Sequence, residues 1–169
     1  MRVTVVAGNP KAGSRTLEAA SLVAEAIGGQ APDAVIDVVE LGPGLLGWGD
    51  EQVAAAVSTV AESDLVVFGS PTFKATYTGL LKLFLDQFAT GDGLRDVVAV
   101  PVMLGAGPAH ALAPDLLLKP VLVELGAATP APGLYLLDSS YTTDGRIAEY
   151  AQRWAPVLLA ATSVRAGRA

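Results

Sequence analysis

The sequence predicts an α/β protein, a three-layer αβα sandwich with helices on both faces of a five-stranded parallel sheet. Three observations carry this reading. Runs of β-branched and apolar residues recur at Arg2 to Ala7 (RVTVVA), Leu65 to Gly69 (LVVFG) and Val97 to Leu104 (VVAVPVML). They are almost continuously apolar rather than alternating, as strands covered on both faces are. Helical stretches separate them, giving the order βαβαβαβαβα with right-handed crossovers.

Taken in order, the first strand ends at Gly8, and a helix is expected over Thr16 to Ile27 with Ser14 placed to cap it. Val35 to Leu41 follows as a second strand, then a glycine-rich loop, Gly42 to Asp50 (GPGLLGWGD), and a helix over Glu51 to Ala61. The third strand leads into a helix over Gly79 to Phe88, and the fourth into one over Ala109 to Leu125. Thr129 to Leu137 is the last strand, with Pro130 and Pro132 placing it at a sheet edge or delaying its start. A final helix over Asp144 to Ser163 completes a single domain over residues 1–163, leaving 164–169 as a flexible tail. The uncharged stretch from Val97 to Pro114 approaches membrane-spanning length. Pro101, Gly105, Gly107, Pro108 and His110 break it into strand, loop and helix start.

Composition narrows the function. With 169 residues, 51% hydrophobic and 17% charged, the chain can build its core without disulfide or metal staples. It has no cysteine and one histidine, His110, so no metal site, iron–sulfur centre, redox dithiol or thiol nucleophile is expected. A net charge of −6 disfavours partners such as nucleic acid or an anionic membrane. Met1-Arg2 runs straight into a short strand without a secretory h-region, and a cytoplasmic location is expected.

Ligands of such folds bind beyond the carboxyl ends of the strands. The first loop there is Gly8-Asn9-Pro10-Lys11-Ala12-Gly13-Ser14-Arg15-Thr16, opening directly onto a helix. A helix N-terminus offers unpaired N–H groups and the positive end of its dipole, and Ser14 and Thr16 add hydroxyl donors suited to phosphate. Gly8 and Gly13 match the two glycines of a Walker A loop, but Ser14-Arg15 stands where that motif needs Lys-Ser/Thr. The G-x-G-x-x-G dinucleotide fingerprint is also missing, because position 10 is proline. A flavodoxin-type monophosphate cradle fits better, with FMN as the natural ligand.

Ser70-Pro71-Thr72-Phe73-Lys74 forms the second loop, where Phe73 either lies against a flavin ring or makes a satellite hydrophobic contact. Gly105-Ala106-Gly107 forms the third, where missing side chains would let a flat ring approach the backbone. His110 either meets the cofactor or caps and packs the next helix.

The loop GNPKAGSRT and the runs PTFKATYTGLLKLFLDQF (Pro71 to Phe88) and GAGPAHALAPDLLLKPVLVELGA (Gly105 to Ala127) resemble the NADPH-dependent FMN reductase family. Within it, the similarity is greatest to the FMN reductases of alkanesulfonate monooxygenase systems, and it extends from Met1 to about Ala160. The resemblance implies a flavodoxin-like fold and a homodimer or homotetramer. It implies that Ser14, Arg15 and Thr16 hold the FMN phosphate, with Asn9 also among the cofactor-binding residues. Pro71, Thr72, Phe73 and Lys74 would flank the isoalloxazine, and Gly105, Ala106, Gly107 and His110 would close its other side. Tyr77, Leu81, Phe84 and Leu85 would lie at the subunit interface.

The implied reaction is hydride transfer from the nicotinamide C4 of NADPH or NADH to N5 of FMN, chemistry that belongs to the cofactor and requires no catalytic side chain. Reduced FMN could then supply a partner flavin-dependent monooxygenase. One position departs from the pattern: the alkanesulfonate-type reductases commonly carry a tyrosine after the aspartate matching Asp115, in a helix bulge associated with flavin release, and here it is Leu116. Both modes therefore stay open, FMN exchanged as a substrate or retained as in related quinone and azo-dye reductases. A flavodoxin-type electron carrier without nicotinamide activity is the competing class, disfavoured by Lys11, Arg15 and Lys74 in the site loops. A serine hydrolase lacks its G-x-S-x-G elbow.

Overall fold

The computed structural model describes residues 1–166, and the side chains of residues 1–163. Five parallel strands, β1 (Val3–Ala7), β2 (Ala34–Asp37), β3 (Leu65–Pro71), β4 (Val98–Gly105) and β5 (Leu134–Leu137), pair in the order β2-β1-β3-β4-β5. Every residue of β1, β3 and β4 is buried. That is why these strands read as unbroken apolar runs.

Alternation along the strands divides the core in two. Val3, Val5, Leu65, Val67, Val98, Val100, Leu134 and Leu136 face the layer of α1 (Arg15–Gly28) and α5 (Arg146–Ala166). Val6, Val66, Phe68, Met103 and Tyr135 face the layer of α2 (Glu51–Ala61), α3 (Gly79–Leu85) and α4 (Lys119–Glu124).

Local chemistry sets the helix ends. Ser14 caps α1 by accepting the Leu17 N–H at 3.3 Å, and Gly29 ends it with φ 73°. Asp50 caps α2 by accepting the N–H groups of Gln52 and Val53 at 2.9 and 3.0 Å. Helix α5 runs to Ala166, past the predicted end at Ser163. The rest of the predicted tail, 167–169, lies outside the described residues.

Three expectations need correction, in the second strand, the helix after the third loop and the interface residues. The second strand stops at Asp37, and Val38–Leu46 winds into 3₁₀ turns kinked at Gly42 (φ 55°, ψ −141°). The one neighbour of β2 in the sheet, β1, ends at Ala7 opposite Asp37, so Val38 to Leu41 have no strand to pair with. The last strand, by contrast, behaves as Pro130 and Pro132 predict: it begins only at Leu134, beyond both, and lies at the sheet edge.

The helix expected over Ala109 to Leu125 is three pieces: a 3₁₀ turn at Pro108–His110, a π-turn at Pro114–Leu118, and α4. Pro120 explains the bulge. It cannot donate to the Leu116 carbonyl four residues back, and the Lys119 N–H reaches past to Pro114 O.

Leu81, Phe84 and Leu85 are fully buried inside the chain, with Phe84 edge-on to Phe88 at 5.3 Å. They are core residues and cannot face a second subunit, while Tyr77 is half-buried against the same cluster. Residues four apart on a short amphipathic helix mark its packed face whether the neighbour is its own sheet or another chain.

Candidate functional site

Strands β1 and β3 are neighbours, yet α1 leaves β1 toward one face of the sheet and α3 leaves β3 toward the other. A crevice opens between their carboxyl ends, at the topological switch point.

The loop after β1 forms one side. The Gly8 N–H donates to Gly69 O at 2.9 Å, pinning the loop to β3. No other residue fits at position 8, since a Cβ there would lie 2.3 Å from Leu81 Cβ. Asn9 braces the turn from within: its Oδ1 accepts the Lys11 N–H and its Nδ2 donates to Thr16 Oγ1, both at 2.9 Å. Gly13 takes φ 58° and donates its N–H to Asp37 Oδ2 at 2.9 Å. The Arg15 guanidinium crosses to the far side of the sheet end, donating to Asp138 O at 3.0 Å with the Asp138 carboxylate at 3.4 Å.

The second loop is a two-residue hairpin. Phe73 and Thr76 exchange backbone hydrogen bonds at 2.9 and 3.3 Å, with Lys74 and Ala75 at φ 52° and 72° between them. Positive φ at both central residues is the type I′ geometry that Asn-Gly usually supplies. Here two side-chain-bearing residues are held in it. Below the hairpin, the Thr72 N–H donates to Leu104 O at 2.6 Å and the Thr78 N–H to Ser70 Oγ at 3.0 Å.

The third loop lies under Tyr135, whose hydroxyl donates to Gly107 O at 2.8 Å. Gly105 has no room for a side chain, because a Cβ would fall 1.8 Å from that hydroxyl oxygen.

These three loops enclose a cleft of about 260 Å³. Of the sequence-predicted residues, Asn9, Ser14, Arg15 and Thr16 line it from the first loop. Pro71, Thr72 and Phe73 line it from the second, and Gly105 and Ala106 from the third. Gly107 and His110 line an adjoining cavity of about 520 Å³ that shares Thr72, Gly105 and Ala106 as a common wall. Lys74 lines neither; its side chain stands exposed on the hairpin.

Sequence reasoning passed over Asp138 and Leu104, which also line the cleft, and Asp37 beneath it. Both aspartates directly follow or end an edge strand, the position where the strand-end rule would have found them.

The chemistry of the cleft suits FMN. At one end it offers hydroxyls, main-chain amides of a helix N-terminus and the cations Lys11 and Arg15. At the other it is lined by Pro71, Thr72, Phe73, Gly105 and Ala106, with the Tyr135 hydroxyl occupying the place of a Gly105 side chain. The Thr72 hydroxyl oxygen is buried with no hydrogen-bond partner among the described residues, a donor left for a ligand.

Strand order β2-β1-β3-β4-β5 with the cleft at the β1/β3 junction is the flavodoxin-like arrangement, the class in which FMN binds at that crevice. The model of the NADPH-dependent FMN reductase family matches residues 1–142, and the chain belongs to that family. It is 33% identical over 145 residues to the NADH-dependent FMN reductase SfnF of Pseudomonas putida, spanning 80% of this chain and 76% of that one. Against an FMN reductase (NADPH) of Escherichia coli K12 it is 31% identical over 149 residues, 82% of this chain and 74% of that one. The apo form of an NADH:FMN oxidoreductase, EmoB, superposes with a TM-score of 0.80 at 26% identity, covering 96% of this chain and 89% of that chain. An oxidoreductase from Corynebacterium diphtheriae gives 0.78 at 26% identity, covering 99% and 98%. The protein is thus an oxidoreductase of FMN and a reduced nicotinamide nucleotide.

Among the described residues, no helix is long and apolar enough to cross a membrane. The alkanesulfonate-type tyrosine is absent, yet the π-turn is present, with Leu116 exposed at its crest (65%).

Proposed function

We propose that the chain reduces FMN with NADPH or NADH in the β1/β3 cleft and releases the product for a partner flavin-dependent monooxygenase. The observation that carries the site assignment is the convergence of all three loops on one cleft, with donors at one end and Pro71, Thr72, Phe73, Gly105 and Ala106 at the other. Ser14, Thr16 and the amides opening α1 hold the phosphate, with Lys11 and Arg15 as counter-charges. Pro71, Thr72 and Phe73 lie along one side of the ring, and Gly105 and Ala106 along the other. When bound, FMN supplies the hydride-accepting chemistry. The protein orients the two substrates and excludes water, and the unpartnered Thr72 hydroxyl would be available to hydrogen-bond the bound flavin.

The adjoining cavity beside Pro108, Ala109 and His110 is the entry for the nicotinamide nucleotide. Lys74, on the hairpin rim, adds positive charge for its phosphates. Neither Lys11 nor Lys74 is in an ion pair among the described residues, whereas Arg15 already engages Asp138.

The assembly is a homodimer or homotetramer built on Leu112, Leu116 and Leu117, which stand exposed around the π-turn beside His110. Size-exclusion with light scattering on wild type and Leu116→Arg tests this; an unchanged oligomer in the variant rules this face out.

The decisive functional experiment follows NADPH and NADH oxidation by the purified protein with and without added FMN. Turnover that depends on added FMN, from a colourless preparation, is expected. Failure to oxidise either nucleotide would sink the reading, and a yellow preparation that turns over without added FMN would replace exchange with retention.

A further inference from the structure

Asp37 ends β2 opposite Ala7 in the register, so its side chain comes up beneath the loop that leaves β1. It is 7% exposed. Its Oδ2 accepts the Gly13 N–H at 2.9 Å, and its Oδ1 is buried with no hydrogen-bond partner among the described residues. No cation pairs with it among the described residues.

A buried carboxylate normally has an ion-pair partner or several donors, because desolvating it is otherwise costly. Here the compensation comes from the Gly13 N–H and from the positive end of α1, which begins at Arg15 two residues on. These are the groups to which a phosphate at the loop would turn. Because the carboxylate is almost fully buried, solvent ions damp its repulsion of a phosphate at the loop only in part.

We propose that Asp37 sets the affinity for the flavin phosphate: by occupying the Gly13 N–H and keeping an unneutralised negative charge under the loop, it weakens the hold on a doubly charged phosphate and keeps FMN exchangeable. This inference rests on the reading of residues 9–16 as the phosphate site. It also supplies a physical reason for exchange in a chain that lacks the tyrosine at Leu116.

The test is titration of the full-length apoprotein with FMN and with riboflavin, which lacks the phosphate, read by quenching of flavin fluorescence. Asp37→Asn retains an oxygen to accept the Gly13 N–H and removes the charge. Its preference for FMN over riboflavin is expected to rise about tenfold or more, with riboflavin affinity held within about twofold. Asp37→Ser, which also removes the charge, should move the preference the same way. Wild-type protein that does not prefer FMN to riboflavin removes the phosphate-loop reading itself. A wild-type preference that the variants leave unchanged, or reduce, overturns the role of Asp37 alone. Loss of riboflavin binding in both variants also overturns it, since Asp37 would then serve only to hold the pocket in shape.

Discussion

The Thr78 hydroxyl donates to the Gly8 carbonyl at 2.6 Å while accepting the Leu81 N–H at 3.1 Å. One side chain therefore caps α3 and ties it to the end of β1, which is also where the first site loop begins. Residues 70 apart in sequence are joined at the base of the cleft. Thr78→Val keeps the shape and removes both bonds. It should cost about 2 kcal/mol in urea unfolding, whereas Thr78→Ser should recover most of that.

Gly105 packs against the Tyr135 hydroxyl in the wall of the adjoining cavity. Gly105→Ala drives a methyl into the Tyr135 hydroxyl, displacing it from Gly107 O, and should cost about 2–3 kcal/mol of stability together with at least a tenfold loss of FMN affinity. The closest clash is with the hydroxyl oxygen itself. Adding Tyr135→Phe should therefore restore part of both losses, and a double-mutant cycle in which the two changes simply add would show that the contact is not the cause.

The hairpin at Lys74 and Ala75 holds two L-residues in the left-handed region. Such a conformation costs about 1–2 kcal/mol per residue that glycine would not incur. Ala75→Gly should stabilise the protein by about 1 kcal/mol in thermal or urea unfolding. A neutral or destabilising result would mean that packing of the Ala75 methyl outweighs the strain.

Tyr141 donates its hydroxyl proton to Glu18 Oε2 at 2.7 Å between α1 and the segment preceding α5. Burial, reinforced by the Glu18 carboxylate, pushes the phenol up to about 12. The unfolded chain releases this proton near pH 10, so above that pH the native state binds more protons than the unfolded state. The resulting stabilisation is complete below pH 10 and disappears as pH rises through 12. Tyr141→Phe should lose about 1 kcal/mol at neutral pH. Its stability should fall less steeply than the wild type's between pH 10 and 12, and parallel curves would contradict the assignment.

Much of this molecule could be read before any coordinates. Strands covered on both faces must be apolar at every position, so β1, β3 and β4 announced themselves in sequence as uninterrupted runs. Chain order then placed their loops at one end of the sheet, and nine of the twelve named site residues line one cleft there. A capping serine, a close-packed glycine and a hydroxyl beside a helix start are local features, fully specified by a few consecutive residues.

What depended on the third dimension is of another kind. Leu81, Phe84 and Leu85 carry the spacing of an apolar face, but spacing does not say what covers that face, and the sheet of the same chain does so. The helix after the third loop reads as continuous from its hydrophobic pattern; Pro120 breaks the hydrogen-bond ladder and raises the π-turn that leaves Leu116 exposed. Asp37 and Asp138 are ordinary acidic residues at strand ends until β2 and β5 are laid at opposite edges of the sheet. Only that placement sets one carboxylate under Gly13 and the other against Arg15. Main-chain geometry and local caps are near-neighbour physics, carried by the order of the residues. The charges that tune the cleft come from segments far apart in the chain, and the pairing of strands is what brings them together.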